Sequence, residues 1–207
     1  MEGAGAPALG IAVVTRFLLV LGSTSPARRE ALARLGLPFR VVDPKVEEEV
    51  IAHEPPRRRA LRLARLKARA VRERFPHAVV VASDQTAVCG DRLLHKARDA
   101  AAARSSLRSA SGRWIDFHTA LAVYPPWATR PWTSCEHTRI RLRRLSESEI
   151  RRYVALDRPV GCAGGFRAEG AGAALWDRYE CTDPTAIVGL PLVSLSGFLR
   201  AAGLPVP

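Results

Sequence analysis

Lysine is scarce in this chain, paired cysteines and long apolar runs are missing, and each shortage narrows what the protein can be. Of the 32 lysine and arginine residues, lysine stands only at Lys45, Lys67 and Lys96. If arginine serves wherever any cation will do, a surviving lysine marks a place that needs a compact ammonium in place of a planar fork. Lys45 reads as accidental; Lys67 and Lys96 do not. The four cysteines, Cys89, Cys135, Cys162 and Cys181, lie far apart without a CxxC pair. Neither a zinc site nor a disulfide framework is indicated, and a reducing cytoplasm is the expected compartment. The apolar stretch over residues 9–22 is interrupted by Arg16 and is too short to span a bilayer, so no membrane partner is expected. Glu2 and the lack of early positive charge argue against a secretory signal. Residues 1–16 read as a disordered leader or an upstream start-site extension. With no internal repeat and no long linker, residues 17–207 read as one domain, large enough to bury a core.

A formal net charge of +12 invites a nucleic-acid reading, yet the basic residues are scattered among carboxylates and no RNA- or DNA-binding signature is present. A small polyanionic substrate fits the charge as well. The clearest sign of one is Ser23-Thr24-Ser25-Pro26, followed at once by Ala27, Arg28 and Arg29. Residues 17–21 form an apolar run that reads as a buried strand, Gly22 permits a turn, and Ser25-Pro26 has the form of an N-cap followed by proline in the first helical turn. A strand therefore runs into a helix N-terminus, where backbone N–H groups, serine hydroxyls and guanidinium groups converge on an anion. An ordinary helix start with solvated arginines is the competing reading.

Further along, helical spacing is expected over residues 26–36, a short strand over 39–42 and a long amphipathic helix over 57–75. Residues 78–82 read as a buried strand that delivers Ser83-Asp84-Gln85 at its C-terminal end, where α/β folds place ligands. Lys96 is expected to open a helix over 97–109. Strands over 114–124 and 137–145 make an antiparallel pair, and Ser146 with Glu149 forms a capping box for a helix to residue 156. Residues 162–172 are glycine-rich, as a loop passing close to a ligand requires.

In order, the pieces are Ser23-x-Ser25-Pro26-x-Arg28-Arg29, the acidic run after Val46, Ser83-Asp84-Gln85, Lys96, Cys162-Ala163-Gly164-Gly165-Phe166-x-x-Glu169-Gly170 and Val188-Gly189-Leu190-Pro191-Leu192. As a set they closely resemble the Maf family of nucleotide pyrophosphatases, over about residues 17–203. The set is most similar to the branch acting on 7-methyl-GTP, which carries Ser-Asp-Gln on the central strand, glutamate in the glycine-rich loop and Asp-Pro, here Asp183-Pro184, before Gly-Leu-Pro-Leu. The resemblance implies an α/β fold with a mixed twisted sheet, flanking helices and two lobes around a nucleotide-binding cleft (Maf/ITPase-like). It also implies a divalent metal (magnesium, manganese or cobalt), hydrolysis of a nucleoside triphosphate to monophosphate and pyrophosphate, and a homodimer.

Hydrolysis between the α and β phosphates needs an activated water, cations for the developing charge and a grip on the polyphosphate. Asp84 is the candidate general base and matches the family's proton acceptor. Glu47 and Glu48 align with an acidic pair that, with Asp84, would hold the metal, although solvated surface charge competes for each. Ser23, Ser25, Arg28, Arg29, Lys67 and Lys96 are the candidate polyphosphate contacts; for Lys67 the alternative is the polar face of its helix. Where the family usually has Gly-Lys-Pro, this chain has His95-Lys96-Ala97. Gln85 and Glu169 are the candidate base contacts. Glutamine in other branches can both donate and accept, whereas a carboxylate only accepts, as the N1–H and N2–H₂ donors of guanine require. The main departure is Ala27, where the branch usually carries a tryptophan able to stack on a cationic base. The alternatives are a pyrophosphatase for unmodified or pyrimidine triphosphates and a non-catalytic nucleotide- or nucleic-acid-binding protein linked to division.

Overall fold

The structure, a computed structural model, describes residues 16–207. All but the last residue of the expected leader therefore lie outside the described residues.

Among the described residues seven strands form one mixed sheet, and the way its two halves are stitched together makes the cleft. β1 (Leu19–Gly22) is buried along its whole length and pairs in parallel with β2 (Phe39–Val42) on one side and β3 (Val79–Cys89) on the other. From there the sheet turns antiparallel, through β5 (Trp114–Tyr124), β6 (Trp132–Leu142) and β7 (Trp176–Glu180), with β4 (Arg92–Leu94) folded back against the end of β3. The pairing of β1 with β3 stops at Val81, and that of β4 with β3 begins at Ala87. Between them, residues 82–86 of β3 keep β5 on one side and have no strand on the other among the described residues.

One helix covers one face. α2 (Pro56–Arg74) lays Ala60, Ala64 and Ala68 on Ala82, Ala120 and Ala122, and Val71 on Val20 and Val80. Small residues on both sides let the helix axis approach the sheet closely, which is what brings Lys67 down to strand level. The other face carries two apolar clusters. α1 (Pro26–Ala33) and α5 (Leu192–Ala201) pack Leu32, Leu195 and Leu199 on Leu19, Leu21 and Leu121. α3 (Ala100–Ala110) and α4 (Glu147–Asp157) pack Leu107, Ile150 and Val154 on Ile115, Phe117 and Ile140. Truncating a leucine such as Leu107, fully buried, to alanine should cost about 2–5 kcal/mol.

Most of the expected elements are present, and the differences have physical causes. Ser25 caps α1 by accepting Arg28 N–H, and Ser146 and Glu149 form the reciprocal capping box of α4. β3 does not stop before Ser83. It runs on to Cys89, so Ser83-Asp84-Gln85 is mid-strand, and only the end of its neighbour β1 makes it a strand-end position. β6 begins at Trp132, five residues before the expected start, because pairing with Val123 sets its origin and not apolar content. Lys96 does not open a helix. Asp99 caps α3 by accepting Ala102 N–H at 2.7 Å, while Lys96 bridges to Ala163.

Candidate active site

A cleft of about 470 Å³ lies along the open edge of β3, lined by Ser25 at the cap of α1, Ala27 and Arg28 from α1, Lys67 from α2, Asp84 and Gln85 from β3, and Lys96 and Glu169 from the loops opposite. Glu48, on the segment between β2 and α2, completes the set. Sequence positions from 25 to 169 thus share one cavity. Three of the expected residues stand apart from its lining. Ser23 is buried and its Oγ accepts Ser25 N–H at 3.1 Å, shaping the turn. Arg29 is exposed on α1 and Glu47 is exposed on its loop.

Asp84 is 6% exposed and Lys67 8%. Lys67 Nζ donates to Asp84 Oδ1 at 2.6 Å and stands 2.6 Å from Glu48 Oε1. This disposes of the solvated-face alternative for Lys67. Two carboxylates thus converge on one cationic nitrogen, and Asp84 Oδ2 has no hydrogen-bond partner among the described residues. Burial pushes the Glu48 carboxyl up, but Lys67, Lys96 and Arg59 outweigh it and hold it below the usual glutamate range. Arg62, five residues before Lys67 on α2, reaches both oxygens of Glu54 at 2.7 Å and the Glu49 carbonyl at 3.0 Å, pinning the segment that carries Glu48.

The open edge of β3 is plugged by Arg28. Its Nη1 donates to the Ser83 carbonyl at 2.7 Å and its Nε to the Gly189 carbonyl at 2.9 Å, which leaves Nη2 for an anion. Burial pushes its guanidinium down, against the pull of the Asp84 and Glu48 charges. Gly189 has φ +96°, and a Cβ there would stand 3.0 Å from Arg28 Nε, so this position needs glycine on two counts. The turn is anchored from behind by Asp183, 2% exposed, which accepts Thr185 N–H and Val193 N–H and so caps α5 from outside the helix.

Gln85 spends its amide nitrogen on Thr119 Oγ1 at 3.0 Å and on the Ala186 and Ile187 carbonyls, both at 3.1 Å, leaving its oxygen without a partner among the described residues. Glu169 has a side chain 24% exposed, with Arg167 Nε 3.4 Å from its Oε1. The loop carrying both is propped by Tyr153 of α4, whose hydroxyl donates to Asp157 Oδ2 at 2.8 Å and accepts Arg167 N–H at 2.9 Å. The glycines of this loop serve packing as much as a ligand: a Cβ at Gly165 would lie 2.6 Å from the Ala103 carbonyl of α3.

Sequence reasoning missed Thr86 and Arg59 and gave Phe166 of the glycine-rich loop no role; all three are in the lining. Thr86 is 3% exposed and its hydroxyl has no partner among the described residues. Its position two residues after Asp84, on the same strand face, was the available signal. Arg59 was hidden in a run of arginines.

The site suits a hard divalent cation. The donor set is two carboxylate oxygens already gathered around one positive charge, and no cluster of three or more metal-binding side chains occurs among the described residues. Magnesium-type ions are held in this way, by one or two carboxylates, with waters and substrate phosphates as the remaining ligands.

A family profile described as Maf-like protein matches residues 18–202. A 7-methyl-GTP pyrophosphatase from Alkalilimnicola ehrlichii is 45% identical over 188 residues, covering 91% of this chain and 94% of its own. Proteins of the same name from Nitrosococcus oceani and Pseudomonas aeruginosa are 42% and 41% identical, each over 91% of this chain and covering 94% and 98% of their own. Among solved structures, a HAM1 protein from Coxiella burnetii is 14% identical with a TM-score of 0.46, over 89% of this chain and 99% of its own.

Proposed function

The chain belongs to the Maf family, and from that premise we propose that it is a metal-dependent nucleoside triphosphate pyrophosphatase acting on 7-methyl-GTP. The observation that carries the reading is the buried Asp84 at an open strand edge, in contact with Lys67 and sharing one cavity with Arg28, Lys96 and Glu169. The names of the relatives support the substrate.

In the proposed reaction Asp84 Oδ2 takes a proton from water as the water oxygen bonds to the α-phosphorus. The α–β anhydride bond breaks and pyrophosphate leaves with the electron pair. Arg28 Nη2, Lys67 and Lys96 hold the phosphate oxygens, together with the Ala27 N–H, the one backbone donor in the first turn of α1 without a partner among the described residues. A divalent ion held by Glu48 and Asp84, with Glu47 nearby on the same segment, would supply Lewis-acid neutralisation of the polyphosphate. Glu169 accepts from N1–H and N2–H₂ of the guanine, with the free oxygen of Gln85 as a second acceptor. Ala27 supplies no aromatic platform of its own, so discrimination against plain GTP rests on attraction of the cationic 7-methylguanine ring to the Glu169 carboxylate, with Phe166 as an aromatic side chain of the lining. The same proposal places the enzyme in the cytoplasm as a homodimer, which sedimentation of the purified protein checks. No helix among the described residues is long and apolar enough to cross a membrane.

Pyrophosphate release from 7-methyl-GTP, GTP, UTP and dTTP, each with magnesium, manganese or cobalt, tests the reading. Turnover should be highest for 7-methyl-GTP and should vanish with chelator. A preference for UTP or dTTP would overturn the substrate, and no release from any triphosphate would overturn the activity.

A further inference from the structure

The acidic corner of the cleft carries a cation of the protein's own. Lys67 Nζ lies 2.6 Å from Glu48 Oε1 and 2.6 Å from Asp84 Oδ1, the two carboxylates assigned above to the divalent ion. We propose that Lys67 is an internal counter-ion that competes with the metal for these carboxylates, so that metal enters the site together with the triphosphate and not before it. This rests on the reading of Glu48 and Asp84 as the metal carboxylates.

Three features support the competition. The first is geometric. A single nitrogen touching one oxygen of each carboxylate stands where a hard cation bridging them would stand, and only a compact ammonium can do this. That explains a lysine at this position in a chain that uses arginine almost everywhere else.

The second is burial. Lys67 is 8% exposed, beneath a helix whose flanking Leu63 and Ala64 are buried against the core, so its charge cannot leave for bulk water without breaking that packing. It stays on the carboxylates until other negative groups arrive within reach of its side chain.

The third is the charge of the surroundings. Arg28 from α1, Arg59 from α2 and Lys96 from beyond β4 line the same cavity, against Glu48, Asp84 and the more distant Glu169. A lone divalent ion would add two positive charges to a cavity in which four cations, Lys67 included, already outnumber three carboxylates. A triphosphate reverses this balance: its oxygens draw Lys67 away, which frees both carboxylates as the net charge becomes negative. Metal and nucleotide therefore strengthen each other's binding by the same factor.

Manganese binding to the full chain, read by electron paramagnetic resonance, tests the proposal without reference to turnover. Wild type should bind Mn²⁺ weakly alone and at least about tenfold more tightly with α,β-methylene-GTP, after allowance for metal bound by the free nucleotide. Lys67→Met keeps the length of the side chain and removes its charge. It should bind Mn²⁺ without nucleotide at least about tenfold more tightly than wild type, even as turnover is lost, and Asp84→Asn added to it should abolish the gain. Equal Mn²⁺ affinity of wild type with and without the nucleotide would overturn the proposal, as would no gain in a folded Lys67→Met protein. Should that variant fail to fold, the two wild-type measurements decide. Failure of the pyrophosphatase reading would appear separately, as absent pyrophosphate release.

Discussion

Asp84→Asn keeps the shape of the side chain at the open edge of β3 and removes its charge, and the structure separates two consequences. The catalytic one is the loss of a proton acceptor. A positioned general base contributes about 10²–10⁴ in rate, so kcat should fall at least about a hundredfold, equivalent to about 2.7 kcal/mol of transition-state stabilisation. The structural one concerns Lys67, whose ammonium loses one of two carboxylate partners. Breaking a buried pair outright costs about 3–5 kcal/mol. Here Glu48 still holds the same nitrogen at 2.6 Å, and its side chain is 47% exposed, so water shares the load. The asparagine oxygen can also still accept. The expected loss of stability is therefore about 1–3 kcal/mol, a lowering of Tm by roughly 2–12 °C for a chain of this size. Pyrophosphate release coupled to phosphate detection gives kcat and KM, and circular dichroism on heating gives Tm. If Asp84 acted only by holding metal, raising the manganese concentration would restore kcat; as a base it is not rescued. A folded Asp84→Asn protein with kcat within about threefold of wild type would remove Asp84 from the chemistry.

Other outcomes follow from the same geometry. Glu169→Gln should cost guanine substrates about tenfold to a hundredfold in kcat/KM while sparing UTP and dTTP, because the amide presents a donor where the base also donates. Ala27→Trp should raise the 7-methyl-GTP to GTP ratio by restoring a platform for a cationic ring, and an unchanged substrate ranking in both variants would refute the base-reading role. Asp183→Ala should destabilise by about 2–3 kcal/mol, measured by urea unfolding, since the first turn of α5 and Thr185 lose their acceptor. Glu149 is held down to about 2 by the Ser146 backbone N–H, Arg143 and the Ser146 hydroxyl. Its folded value lies below its unfolded one, so its contribution is complete above the ordinary 4.5 and is lost as pH falls through about 2. Glu149→Gln should accordingly flatten acid unfolding in that window, and an unchanged acid limb would show that the capping box contributes nothing there.

Local chemistry makes much of this protein legible from its residues alone. Ser25-Pro26 and Ser146 with Glu149 cap helices through contacts within three residues, so the sequence by itself determined where α1 and α4 begin. β2 and β5 fall at their expected limits because β-branched and aromatic runs between turn residues leave few alternatives. The scarcity of lysine singles out Lys67 and Lys96, and both line the cleft. Long-range pairing decided the rest. β7 is a short, largely exposed edge strand whose two aromatics, Trp176 and Tyr179, do not follow strand alternation, and β6 takes its start from Val123 across the turn. No local pattern marks residues 82–86 as an open edge, since that gap exists only because β1 ends at Gly22 and β4 starts to pair at Ala87. Nor could the sequence say that Arg28 and Gln85 would spend hydrogen bonds on the 186–189 backbone, or that Arg29 and Glu47 would face outward. Residue types carry the chemistry of the site, but which of them meet is set by the packing of an alanine-faced α2 on the sheet. That is a property of contacts between residues far apart in the chain.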